Sequence, residues 1–264
     1  MTEAPDGLVF PDPELRIFDV AQSAELAVTV LGKLGLVGDF DAAQKYVAQG
    51  MQSLRDAIES EMLPFDSGFE PFVSLQLTSP FQFEQLIEAY DTKYNEESRC
   101  SQVLTLLWNQ YSAAELNARM LDLPKGEASS MELTALALPL DQYSPEGLLM
   151  FRNHTLPRQA TLVAGAQKDY GQTHSHSKLL VMNPIDYLLL SAQRIESDSP
   201  PLDDFGSTTR FIQLEPKKVN RAENESLTPT ASTSTLEARI IWGGDPLLGA
   251  EKSGVRLVVG TEEA

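Results

Sequence analysis

The change of hydrophobic period near Pro124 constrains this chain more than any other feature. Before it, apolar residues return mainly at three- and four-residue steps, the spacing that gives a helix one apolar stripe. After Pro124-Lys125-Gly126-Glu127 they come in short runs separated by turn residues, the pattern of strands with helices interspersed. Helices first and strands mixed with helices afterwards define the α+β class, with a mixed, mainly antiparallel sheet. The 264 residues therefore divide into a mainly helical acidic region, 1–124, and an α+β region, 125–264.

In the first region, Ile17, Val20, Ala21, Ala24, Ala27, Val28, Leu31 and Leu34 form one helical stripe, opened by Asp12-Pro13 and closed by Gly35. A second helix is predicted from Asp41 to Met62 on Val47, Met51, Leu54 and Ile58, with Pro64 ending it. Alternation over Pro71–Thr78 predicts a strand. Ser79-Pro80-Phe81-Gln82 then opens a helix with a cap, a proline at the first position and a glutamine placed for a capping box. That helix reaches about Tyr94, and another is predicted from Glu97 to Leu121.

In the second region, strands are predicted at Glu132–Leu138, Ala160–Gly165, Thr173–Met182, Thr209–Leu214, Leu236–Trp242 and Gly254–Val259. Ser144-Pro145 and Asn183-Pro184 open two further helices. Residues 221–235 offer Leu227 as their one large apolar side chain. Such a stretch cannot offset its ordering entropy by burial, so 217–235 is expected to be a loop or an extended hairpin arm.

Charge narrows the function classes. Acidic residues number 38 against 20 basic ones, a net charge of -18, and the first 70 residues hold 13 and 4 of them. That field repels nucleic acid phosphates and anionic lipid headgroups, which disfavours direct binding to either. It favours other proteins as partners, whether a second copy of the chain or a basic protein, and a row of carboxylates could imitate DNA. No apolar run reaches the length of a spanning helix, and Met1–Pro13 lacks the basic and apolar parts of a secretory signal. The expected setting is cytoplasmic, or a virion for a phage component. The single Cys100 rules out an intramolecular disulfide and agrees with a reducing compartment.

Chemistry-bearing motifs are few. Gln172-Thr173-His174-Ser175-His176-Ser177-Lys178 holds two of the three histidines. On a strand, His174 and His176 would share a face and could bind a metal with His154 as a third ligand. The pair resembles the strand histidines of cupins and carbonic anhydrases, over three residues and without the glutamate and glycine context of cupins. Lys178 would share the same face, and its ammonium repels a divalent cation. Ser175-His176-Ser177-Lys178 matches the Ser-x-x-Lys spacing of penicillin-recognising enzymes, but a strand sends its serine and lysine to opposite faces. Gly244–Ser253 differs from a phosphate loop because Pro246 removes an amide donor and the lysine is displaced from the glycine. No cofactor motif is read. The leading expectation is a non-enzymatic interaction or assembly subunit of a larger complex, with a phage or injection machine as one setting. A metal-dependent enzyme using His154, His174 and His176, and an acidic decoy of a nucleic acid binding protein, are the alternatives.

Overall fold

The computed structural model describes residues 20–61, 68–94, 109–121, 132–140, 149–203, 207–220, 225–233, 238–242, 246–247, 249 and 251–261. Helix α1, Val20–Lys33, ends where its glycine directs. Gly35 takes φ +69°, and the amides of Leu36 and Gly35 return to the carbonyls of Leu31 and Gly32, the Schellman arrangement. Asp39 starts α2, Phe40–Glu61, by accepting from the amides of Asp41 and Ala42. The two helices pack together through the predicted stripes, with Ala24, Ala27, Leu31, Val47, Met51 and Leu54 buried.

Strand β1, Phe69–Gln76, is followed by α3, Pro80–Tyr94. Gln82 does fold back over the start of α3, but it accepts from the amide of Thr78, one residue before the expected cap. The continuous helix expected up to Leu121 is interrupted. Residues 109–110 form a turn, and a separate five-residue helix α4, Ala113–Asn117, starts at its own Ser112/Glu115 capping box. The rest of that expectation, residues 97–108 with Cys100, lies outside the described residues, as do Asp12-Pro13 and Ser144-Pro145.

The second region supplies β2 (Glu132–Pro139), β3 (Leu149–Met150), α5 (Leu156–Thr173), β4 (Ser177–Val181) and α6 (Pro184–Glu196). It continues with β5 (Thr208–Arg210), β6 (Lys217–Asn220), β7 (Glu225–Leu227), β8 (Pro229–Thr233), β9 (Ala238–Trp242) and β10 (Ser253–Thr261). The fold is α+β, as expected. Three strand assignments change, the first being Thr209–Leu214: β5 ends at Arg210 and residues 211–214 turn, the Leu214 amide donating to the Phe211 carbonyl at 3.1 Å. Ala160–Gly165 lies inside α5, where Leu156, Gln159, Val163 and Tyr170 are buried at helical spacing behind Pro157. Residues 173–176 are the end of α5 and the bend after it, so β4 begins only at Ser177.

Strand β10 is the centre of an eight-stranded sheet. Val259 and Gly260 pair with both β2 and β4, which must therefore flank β10 on opposite edges. Nearer its start, β10 pairs antiparallel with β3 and parallel with β5, and β8 and β9 extend the sheet from β5. β1 completes the other side through eight antiparallel pairs with β2, so the sheet joins residues from both sequence regions. Leu180 and Val258 contribute to one apolar core, while their strand neighbours Leu179, Val181, Leu257 and Val259 contribute to a second core that includes Val163 and Tyr170 of α5. This is the period-two alternation of a sheet buried on both faces.

Helix α6 belongs to the first core. Every residue from Pro184 to Arg194 is buried, because β1, α1, α3, α4, β8 and β9 surround it. A helix covered on all sides needs apolar residues all round, which Ile185, Tyr187, Leu188, Leu189, Leu190 and Ala192 provide. Its polar members serve the surroundings. Gln193, for example, donates to the carbonyl of Pro71 in β1 at 2.8 Å.

The expected arm at 217–235 divides in two. β6 and β7 form a two-stranded ribbon of their own, whereas β8 is inserted in the main sheet between β5 and β9. Thr228, Thr230 and Ala231 are buried. Small and β-branched side chains fill the space there, so the burial that the polar composition seemed to preclude does occur.

Candidate functional site

The structure does not bring the three histidines together. His154 precedes the first turn of α5 and His174 is the first residue after its last, with 18 helical residues between them. At 1.5 Å per residue the two ends stand about 27 Å apart. His174 stacks on Tyr170, ring centroids 3.9 Å apart, and its Nδ1 lies 2.8 Å from Thr173 Oγ1 and 3.0 Å from the Tyr170 carbonyl. His176 sits in the bend before β4, so the shared strand face expected for the pair does not form. Among the described residues no group of three or more His, Cys, Asp or Glu is placed to hold a metal ion.

What this turn binds is a carboxylate of its own chain. Glu61, the last residue of α2, accepts from the amides of Ser175 and His176 and from the Ser177 hydroxyl. Burial pushes the Glu61 carboxyl upward, but the donors of Ser177, His176 and Ser175 and the nearby His174 outweigh it and hold the group below the ordinary range. Tyr170 Oη lies 2.8 Å from Ser177 Oγ; burial, opposed by that hydrogen bond, pushes its phenol up to about 12. The Ser177 hydroxyl therefore points at a carboxylate and a phenol, with no imidazole poised to take its proton. This cluster fastens α2 to the α5–β4 turn.

Sequence reasoning missed the buried arginines. Arg119, Arg194, Arg210 and Arg256 are all at most 7 % exposed. Arg119 grips Asp186 through Nε, at 3.2 and 3.0 Å from its two oxygens, and through Nη2 at 2.8 Å, and it also donates to Ser74 Oγ at 3.1 Å. Asp186 is the third residue of α6 and completes a capping box with Asn183, so one carboxylate caps the helix and holds the guanidinium. Arg256 of β10 donates to Asp203 at 2.8 Å and to Thr209 Oγ1 at 3.0 Å, while Tyr187 Oη donates to Asp203 at 2.7 Å. Arg194 pairs with Glu70 and donates to the carbonyls of Pro200 and Pro201. Arg210 donates to the His154 carbonyl at 3.0 Å and to Gln159 Oε1 at 3.3 Å, and burial lowers its pKa. These groups join strands to helices and segments inside the fold.

There are two further features. The first is a cleft of about 480 Å3 lined in part by Thr261 of β10 and bounded by α2 on one side and by β2, β4 and the α4 segment on the other. The second is the β6–β7 ribbon. Its base is anchored: Tyr111 Oη donates to the Glu215 carbonyl at 2.7 Å, and Lys217 Nζ stands 4.8 Å over the Tyr111 ring. From there the strands pair Lys217 with Leu227, Lys218 with Ser226 and, past a bulge, Asn220 with Glu225. No helix among the described residues is long and apolar enough to cross a membrane. Comparisons with protein-family models, with curated proteins and with solved structures give no match.

Proposed function

We propose that the protein is a non-enzymatic interaction or assembly subunit of a larger protein complex, with a phage or injection-machine component as one setting. The ribbon of β6 and β7 carries this reading. Among the described residues its strands pair with each other and not with the eight-stranded sheet. An isolated two-stranded ribbon is marginal in water, so it gains order from what it packs against. A second chain seated along the ribbon supplies those contacts, and the other proteins expected as partners are a further copy of this chain or a basic protein attracted by the net charge of -18.

The test is a ribbon deletion bounded by the fold. Residues 218–226 are replaced by a short glycine linker, leaving the Lys217 anchor and the buried Thr228 in place. The expected outcome is an unchanged far-UV spectrum and thermal midpoint together with a loss of assembled mass in light scattering. Unchanged assembly in the folded deletion refutes this role of the ribbon.

A further inference from the structure

We propose that the cleft between α2 and the β2 and β4 side of the sheet is a binding site for a neutral polyhydroxylated small molecule of one or two sugar rings. The space has a structural origin. Past its last pair with β10, Gly260 with Leu136, β2 continues to Glu132, and this stretch of β2 lines the cleft. Helix α2 passes over this end and presents Tyr46, Gln49, Gly50 and Ser53, which share one helix face by their spacing. Gly50 adds no side chain to the cleft, and a Cβ there would meet Ala135 at 3.4 Å, an ordinary contact, so only a larger side chain would take up space. At about 480 Å3 the cleft falls in the size range of small-molecule sites.

The lining selects the ligand class. Its charges balance: Arg119 is held by Asp186, and Lys178 and Glu132 contribute one of each sign, both with contacts of their own in the chain. The side chains of Gln49, Ser53, Gln76, Thr134 and Thr261 are neutral, and no protein hydrogen bond engages them among the described residues. Each of these amides and hydroxyls both donates and accepts. A carboxylate ligand would use only the donors and an ammonium only the acceptors, whereas a ligand hydroxyl uses both. Net charge acts in the same direction, because a field of -18 repels anions. The half-exposed Tyr46 ring and the apolar floor of Leu133, Ala135 and Leu180 suit the C–H faces of a sugar ring. The proposal is independent of the assembly reading, since it involves neither β6 nor β7.

Titration with maltose, followed by amide NMR shifts, is the test, with glycerol as the control probe. Millimolar binding is expected, with the shifts concentrated at Gly50, Ser53 and Thr134. Gly50→Leu fills the cleft and should weaken binding about tenfold or more; Ser53→Ala, on the exposed side of α2, removes one partner and should weaken it about fivefold. Gly50→Ala should leave binding within about twofold, which separates lost space from a disturbed helix. Equal shifts with glycerol and maltose, shifts away from these residues, or full binding by the folded Gly50→Leu protein would each overturn the proposal.

Discussion

Removing the Arg119 guanidinium should be among the most damaging single changes the fold can undergo. Arg119→Met keeps the length of the stem and deletes the group that meets both oxygens of Asp186. Asp186 is 0 % exposed, so its charge cannot recover water, although the backbone amide of Asn183 still donates to it at 3.0 Å. Breaking one side of a buried ion pair costs about 3–5 kcal/mol. The Ser74 hydroxyl also loses its 3.1 Å donor, a further loss of about 1 kcal/mol. Against a typical total stability of about 5–15 kcal/mol, a loss of that size moves the urea midpoint far enough to measure by far-UV circular dichroism.

The same geometry predicts the double mutant. Asp186→Leu alone strands the guanidinium and removes the capping-box acceptor, whereas Arg119→Met with Asp186→Leu leaves neither charge buried and should be less destabilised than the sum of the two single changes by about 2 kcal/mol or more. Additive losses, or a loss below about 1 kcal/mol in Arg119→Met, would refute the view that this pair supports the start of α6.

Other outcomes follow from the same contacts. The depressed carboxyl of Glu61 contributes stability that is present above its unfolded value near 4.5 and is lost as pH falls through the lower folded value. The gap in thermal midpoint between wild type and Glu61→Gln should therefore be full at pH 7 and close progressively as the pH falls below 4.5 and through the lower folded value. Gly254→Ala places a Cβ 2.6 Å from the Met150 carbonyl where β3 meets β10, so a loss of about 1–3 kcal/mol is expected in urea unfolding. Gly35→Ala forces an alanine to φ +69° at the end of α1 and should cost about 1 kcal/mol by the same assay.

Local signals made much of this fold legible. The stripes of α1 and α2, the Gly35 stop, the Asn183-Pro184 start of α6 and the strands around β2 and β10 all follow from period and capping. The errors share a cause. Thr161-Leu162-Val163-Ala164 is a short apolar, β-branched run, and periodicity cannot separate such a run from a helix segment, whereas Pro157 four positions earlier marks a helix start. At residues 228–231 a polar composition concealed buried Thr228, Thr230 and Ala231, because pairing with β5 and β9 is set by distant sequence. The strand face expected to be shared by His174 and His176 does not form. One residue of helix, Thr173, and a bend replaced the strand that would have aligned His174 with His176. The arginine pairs were invisible for a similar reason: Arg119 and Asp186 are 67 positions apart, and Arg256 and Asp203 are 53 apart.

Those internal pairs change what the charge means. Among the described residues, four arginines but only two carboxylates, Asp186 and Asp203, are buried, so the charge these residues leave at the surface is more negative than their own sum. Carboxylates at the start of α2 and along it are also divided among separate tasks. Asp39 caps a helix, Asp56 accepts from Gln52, Glu59 pairs with Arg55 and Glu61 is held by the α5–β4 turn. A surface of this kind acts through its summed field more than through one aligned row. Such a field steers a basic partner from a distance and weakens with salt, since the screening length shortens from about 30 Å at 0.01 M to about 8 Å at 0.15 M. If the partner is a basic protein, its association rate should fall severalfold over that range while dissociation changes little; if it is a second copy of this chain, salt should instead relieve like-charge repulsion and strengthen assembly. Stopped-flow association of the purified components at the two salt concentrations separates these cases by sign.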